Sequence, residues 1–134
     1  MYKHILVPMA LDHGISPETL DVAKKLLAEG GKIAALHIYE MPSGTVGVYL
    51  DEEVVRASFE AARTKMHEKL ADHPEVEPVI KKGHPARSIV DYAAGSDIDC
   101  IVIGSHKPGL RDFLLGSTAA RVMRFASCSV HVRR

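Results

Sequence analysis

Residues 100–118 read CIVIGSHKPGLRDFLLGST, and this stretch decides the fold. An apolar run, Cys100-Ile101-Val102-Ile103, enters a loop spaced by Gly104, Gly109 and Gly116, and a helix-like segment from Thr118 to Phe125 leaves it. A strand that opens through glycines onto a helix start is how α/β proteins make a phosphate site. Glycine lets the backbone approach the ligand, and the helix N-terminus supplies free N–H groups and a partial positive charge. On that reading the protein binds a nucleotide or another phosphorylated small molecule. The spacing alone fits neither standard glycine motif. A P-loop needs Gly-Lys-Ser/Thr after its second glycine, where here Leu110 follows Gly109, and G-x-G-x-x-G is absent. A turn-rich strand-to-helix connection is the competing reading. His106 and Lys107, just past the strand, and Ser117 and Thr118, after the last glycine, weigh towards phosphate. The plain alternatives are an N-cap for Ser117 and a solvated loop charge for Lys107.

Working outward, the rest of the chain supplies the elements such a loop needs. Ile5-Leu6-Val7, ending at Pro8, reads as a buried strand. Ser16-Pro17-Glu18 opens a helix, with Ser as N-cap, Pro at the first helical position and an acid in the first turn. Leu20, Ala23 and Leu27 share a face of it, and Gly30-Gly31 is expected to stop it. Ile33 to Ile38 is a second strand. Asp51 to His73 reads as a long helix with an apolar stripe of Val55, Phe59, Ala62, Met66 and Leu70. Val76 to Lys81 is a third strand, interrupted by Pro78. Gly83-His84-Pro85 leads into a helix carrying Ile89, Val90 and Ala93, ended by Gly95-Ser96-Asp97. Cys100 to Ile103 and Cys128 to Val132 are the fourth and fifth strands. Strand and helix alternate from end to end, which implies one α/β domain over 1–134, a parallel sheet with helices on both faces. In such sheets ligands bind beyond the carboxyl ends of the strands, where strand order reverses.

Composition sets the bounds. The chain has 134 residues, enough for one core, with 46% apolar and 25% charged residues. Lys plus Arg balance Asp plus Glu at 17 each, so the formal net charge is zero. That argues against nucleic acid or a membrane surface as the dominant partner. No apolar run approaches the length of a membrane span. Cys100 and Cys128 fall in strands and no signal peptide precedes them, so reduced thiols in a cytoplasm are expected.

At this point the chain resembles the universal stress protein family. The resemblance is carried by the opening KHILVP, by LHIYE after the second strand, by GHPARSIVDYA, and above all by DCIVIGSHKPGLRDFLLGSTAARVMRFASCSVHV. The last segment is most similar to a branch with SHxP after the fourth strand, whose members typically bind ATP. The resemblance implies a Rossmann-like, five-stranded parallel sheet in the order 3-2-1-4-5, with ATP between the ends of the first and fourth strands. By position, Pro8, Met9 and Ala10 would border the base, and the Ile38 backbone would bond the adenine edge. Ile103 and Gly104 would line base and ribose. The loop from Ser105 through His106 and Lys107 to Gly109 would wrap the phosphates, and Gly116, Ser117, Thr118 and Ala119 would complete the cradle. Three departures from the family pattern stand out. Ala10 occupies the position of a usual Asp, with Asp12 close by. Lys107 replaces the second glycine of G-x2-G-x9-G-[ST]. The loop is one residue shorter. Lys107 adds a point charge suited to phosphate; loss of the Asp argues for weaker or altered nucleotide binding.

The eight histidines form no H-E-x-x-H and pair with no C-x-x-C, so no metal is expected. His67 and His73 read as solvated, and His37 as a satisfied core or site-edge histidine. There is no G-x-S-x-G elbow, and Asp112 is the only acid in the glycine loop, so dedicated hydrolysis lacks a visible general base. Slow ATP turnover is the most that is expected. Residues 41–50 read as a flap near the base or as a surface connection. In the fifth strand Cys128, Val130 and Val132 alternate with Ser129 and His131. The family resemblance makes this strand a sheet edge and the seam of an antiparallel homodimer. The expected function is therefore a dimeric cytoplasmic stress-response module that binds ATP, with or without Mg²⁺, and whose nucleotide state alters contacts with unknown protein partners. The alternative is a stress-response dimerisation module that no longer binds ATP. A nucleotide-dependent transferase on the same superfold would rest on fold analogy alone.

Overall fold

A computed structural model describes residues 1–11, 16–40, 51–105 and 115–134. Nine elements alternate: β1 (Tyr2–Pro8), α1 (Pro17–Leu26), β2 (Leu27–Tyr39), α2 (Glu52–Lys69), β3 (Val76–Lys82), α3 (Pro85–Gly95), β4 (Cys100–Gly104), α4 (Ser117–Phe125) and β5 (Ser129–Arg133). The strands form one sheet in the order β3-β2-β1-β4-β5, and every neighbouring pair is parallel. This is the order the resemblance implied.

The sheet is covered on both sides, which is why its central strands are continuous apolar runs. In β1, Ile5, Leu6 and Val7 have no solvent exposure at all. Ile5 and Val7 join Leu20 and Ala23 of α1 and Met66 of α2 in one core. Leu6 points the other way, into a second core with Ile89 of α3 and Val122 of α4. The period of two in the strands thus feeds two helical layers.

Helix starts follow their local signals. The Ser16 hydroxyl oxygen accepts from Thr19 N at 3.4 Å, Pro17 takes the first helical position, and Asp51 caps α2 by accepting from Glu53 N at 3.0 Å. The ends differ from expectation. The first helix stops at Leu26, before the glycine pair, because Leu27 is already extended (φ −77°, ψ 133°) and pairs with Tyr2. Leu27 is therefore a strand residue that still packs on the first core, and not part of a helix face. The glycines serve a register shift in the β1–β2 ladder between Tyr2 and His4. Gly30 takes φ +76°, and a Cβ on Gly31 would stand 2.9 Å from Lys3 O. The second helix spans Glu52–Lys69 rather than reaching His73, since Leu70 leaves helical geometry (φ −101°, ψ 6°) as its side chain buries. Pro78 is tolerated because β3 is an edge strand. The fifth strand begins at Ser129, so Cys128 precedes it, yet Cys128, Val130 and Val132 all pack on the second core while Ser129 and His131 are exposed, as the alternation predicted.

Candidate functional site

The sheet opens where its order reverses. β1 and β4 pair only at Ile5↔Cys100 and Leu6↔Ile101. Their outer ladders run further, β1 to β2 as far as Pro8↔Leu36 and β4 to β5 as far as Gly104↔Arg133. Beyond Leu6 and Ile101 the two central strands part, and the cleft between their carboxyl ends is the switch-point crevice of a doubly wound sheet.

The walls of this cleft are held by backbone bonds. Met9 N donates to Leu36 O at 2.9 Å, which extends the β1–β2 ladder past Pro8. His37 Nδ1, also on β2, lies 3.1 Å from Met9 O and adds a side-chain contact to the exit of β1. His37 is thus a histidine with a partner, as expected from the sequence, which left core and site edge open. The Met9 side chain is buried in the α1/α2 core, so alternation directs Pro8 and Ala10 to the opposite side, where both are half-buried. Ile38 is buried in the second core near the end of β2.

On the β4 side, Ile103 is buried and Gly104 is exposed. Among the described residues nothing lies within 4 Å of the point where a Gly104 Cβ would stand. The packing of the described residues therefore does not require glycine there. Ser105 is buried, its N–H donates to Arg133 O at 2.8 Å, and its carbonyl accepts from Gly116 N. The strand end and the helix start are thus bonded directly to each other.

Gly116, not Ser117, is the N-cap of α4, so the sequence reading of Ser117 as a cap does not hold. Ser117 is exposed in the first turn, Thr118 is half-buried, and Ala119 is buried in the second core. Among the described residues no side chain caps this helix, and its first turn carries no acid. α1 and α2 have Ser16 and Asp51 as side-chain caps and acids in the first turn, whereas α3, like α4, has neither. What sets α4 apart is its place at the carboxyl end of β4, where an uncapped start suits an outside anion. His106, Lys107, Gly109, Asp12 and Asp112 lie outside the described residues, as does the segment 41–50.

A feature the sequence reading missed flanks the site at the ends of β2 and β3. The Tyr39 and Phe59 rings meet edge to face at 5.7 Å, with Lys82 Nζ 4.7 Å and Arg63 5.5 Å from the Phe59 centroid. Phe59 read only as part of an apolar stripe; nothing in its spacing marked the cations. Cys100 takes no part in the site. Burial, with smaller pushes from Cys128 and Asp99, raises its thiol to about 11, so it stays protonated and unreactive. Among the described residues no cluster of His, Cys, Asp or Glu is able to hold a metal, and no helix is long and apolar enough to cross a membrane.

The sequence profile of the Universal stress protein family matches residues 1–134. The chain belongs to the universal stress protein family. Universal stress protein G of Salmonella typhimurium (strain LT2) is 30% identical to it over 145 residues, covering 100% of both chains. The solved structure of hypothetical protein MJ0577 is 27% identical and superposes with a TM-score of 0.74, covering 100% of this chain and 98% of that one. Two further universal stress protein structures share the fold at lower identity. One, in complex with cAMP, is 21% identical with a TM-score of 0.59 and covers 99% of this chain and 97% of that one. The other, from Archaeoglobus fulgidus in complex with dAMP, is 22% identical with a TM-score of 0.55 and covers 99% and 98%.

Proposed function

We propose that this universal stress protein binds an adenine nucleotide, ATP in the first instance, in the cleft between the carboxyl ends of β1 and β4. The observation that carries the reading is the junction of β4 with α4. Gly104 leaves space that no described residue fills, beside a helix start that has neither side-chain cap nor first-turn acid among the described residues. Such a start suits a phosphate, and an open glycine suits close approach by a ribose or base. Two relatives of the same fold hold cAMP and dAMP, which supports adenine as the base. Pro8, Ala10 and the Ile38 backbone would then border the base. Gly116, Ser117, Thr118 and Ala119 would hold phosphate, together with the His106, Lys107 and Gly109 segment. A nucleotide bound there supplies a regulatory signal. We read the protein as a cytoplasmic homodimer, paired through Cys128 to Val132, whose contacts change with that signal. The site offers no general base among its described residues, so turnover would be slow.

Ala10 supports a second reading, a stress-response dimer that has lost ATP. The two are separated by purifying the protein gently, denaturing it, and identifying released nucleotide by mass spectrometry, with calorimetry of ATP and Mg²⁺ alongside. Absence of nucleotide together with no heat at millimolar ATP would leave the second reading. The cleft itself is tested by Gly104→Val. A β-branched side chain suits a strand end, and its Cβ would meet no described residue within 4 Å, so the variant should fold, which circular dichroism checks. Affinity should fall at least about tenfold. Gly116→Val should act similarly, since φ −60° and ψ 150° are open to any residue. Undiminished binding by both variants would move the site elsewhere.

A further inference from the structure

A second concavity lies away from the nucleotide cleft, on the outer surface of the helical layer, between α3 and α4. It is a groove of about 620 Å³. Ala86 and Val90 of α3 and Phe125 of α4 supply its apolar lining, and His84, Arg87 and Arg121 stand along it. Phe125 is 63% exposed, although an aromatic ring of this size is ordinarily placed where it can be covered. Its outer neighbour is Arg124, whose guanidinium lies 5.4 Å from the ring centroid. α3 packs against β2, and α4 against β5. The groove thus lies between two helices that cover the same face of the sheet, the one carrying the second core.

Among the described lining residues the charge is one-sided. Asp91 is the one carboxylate among them, and it already faces Arg87, with Nε to Oδ2 at 3.9 Å. Arg121 has no ion-pair partner among the described residues, and His84 makes no capping bond with its side chain. A chain of zero net charge thus carries a local positive excess beside an apolar strip. The spacing is helical on both walls: Ala86 with Val90, and Arg121 with Phe125, each four residues apart. A ligand helix with apolar residues at the same interval would lay one face on Ala86, Val90 and Phe125 and bring its flanking acids to the arginines.

We propose that the α3–α4 groove is a docking site for an acidic amphipathic helix of a partner protein. This proposal is independent of the nucleotide reading. Arg121 and Phe125 provide most of its selectivity, one through charge and the other through burial.

The test uses the full chain, ¹⁵N-labelled, and a synthetic helical peptide of about sixteen residues, long enough to hold helix on binding. The peptide carries Leu at four-residue spacing on one face and Glu on the flanks. A control replaces every Glu by Lys. Saturable binding is expected, with amide shifts confined to residues 84–91 and 121–125. The Lys peptide, and the variants Arg121→Glu and Phe125→Ser with the Glu peptide, should each bind at least about tenfold more weakly. Both residues are exposed, so the variants should keep wild-type circular dichroism. Three results would overturn the proposal: no binding of the Glu peptide up to about 1 mM, equal binding of both peptides, or shifts away from the groove. Two others would replace the occupant. Self-association abolished by Phe125→Ser would assign the groove to a second copy, and loss of binding to phosphatidylglycerol vesicles in that variant would assign it to a lipid surface.

Discussion

Replacing Asp99 should loosen the sheet at the end opposite the cleft. The Asp99 carboxylate accepts from Lys3 N at 2.9 Å and from His4 N at 3.0 Å, and its own N–H donates to His4 O at 3.1 Å. These three bonds tie the start of β4 to the start of β1, next to the only two paired positions those strands share. In Asp99→Ala the backbone bond survives and both carboxylate bonds go. A hydrogen bond to a charged acceptor contributes about 1.5–3 kcal/mol, and a neutral or solvated one about 0.5–1.5 kcal/mol. The His4 bond is part-buried and belongs to the first class; the Lys3 bond is exposed and belongs to the second. The expected loss is about 3 kcal/mol. For a domain of this size that lowers Tm by roughly 10 °C. Asp99→Asn keeps one acceptor and should lose about half as much. Scanning calorimetry at pH 7 measures both. A pH series adds a signature. Burial pushes the Asp99 carboxyl up, but the N–H groups of Lys3, His4 and Asp99 itself outweigh it and hold the pKa below the ordinary 3.8. The stabilisation is therefore complete above that value and fades as pH falls through the lowered one, so wild type and Asp99→Ala should converge in acid. A Tm drop under about 3 °C, or a gap constant with pH, would refute the account.

Three further outcomes follow from the same geometry. Gly31→Ala should destabilise by about 1–3 kcal/mol in urea titration, because its Cβ would meet Leu27 Cδ1 at 2.7 Å and two backbone oxygens at 2.9 Å. His4 is buried, and among the described residues no group stands in hydrogen-bond geometry to either ring nitrogen. Burial, then Lys32, lowers its pKa against the opposing pull of the Ser96 backbone, Glu77 and Asp99. The unfolded chain then binds the proton first, so stability should fall as pH drops below roughly 6.5, and His4→Phe should flatten that slope in a pH series of urea midpoints. Ala10→Asp places a carboxylate at the mouth of the proposed cleft and should tighten nucleotide binding about tenfold by calorimetry, the scale of one charge-assisted hydrogen bond.

The fold was legible because its signals are local and repeated. Ser16 and Asp51 mark helix starts through bonds to their own neighbours and Pro17 through its fixed φ, and the runs at residues 5–7 and 100–103 are apolar because both faces are covered. Helix ends were less so. Leu27 belongs to a helical period, yet its pairing with Tyr2 draws it into a strand, and no local pattern carries that information. The frame of the candidate site was legible, since Gly104 ends a strand and Gly116 caps the next helix. The bonds that hold it were not: Ser105 with Gly116, Ser105 with Arg133, and Met9 with Leu36 join backbone groups, which every residue carries. His37 read as a satisfied core or site-edge residue, but its partner Met9 O is set by tertiary register.

The bond between Ser105 and Gly116 bears on what keeps the helix start aimed. Gly116 N donates to Ser105 O, and Ser105 N donates to Arg133 O, so the start of α4 is tied to β4 and β5 through backbone groups. Every residue but proline carries both groups, so the junction does not depend on which side chains stand at 105 and 116. Substitution at these two positions is a way to retune recognition while the first N–H groups of α4 keep their direction.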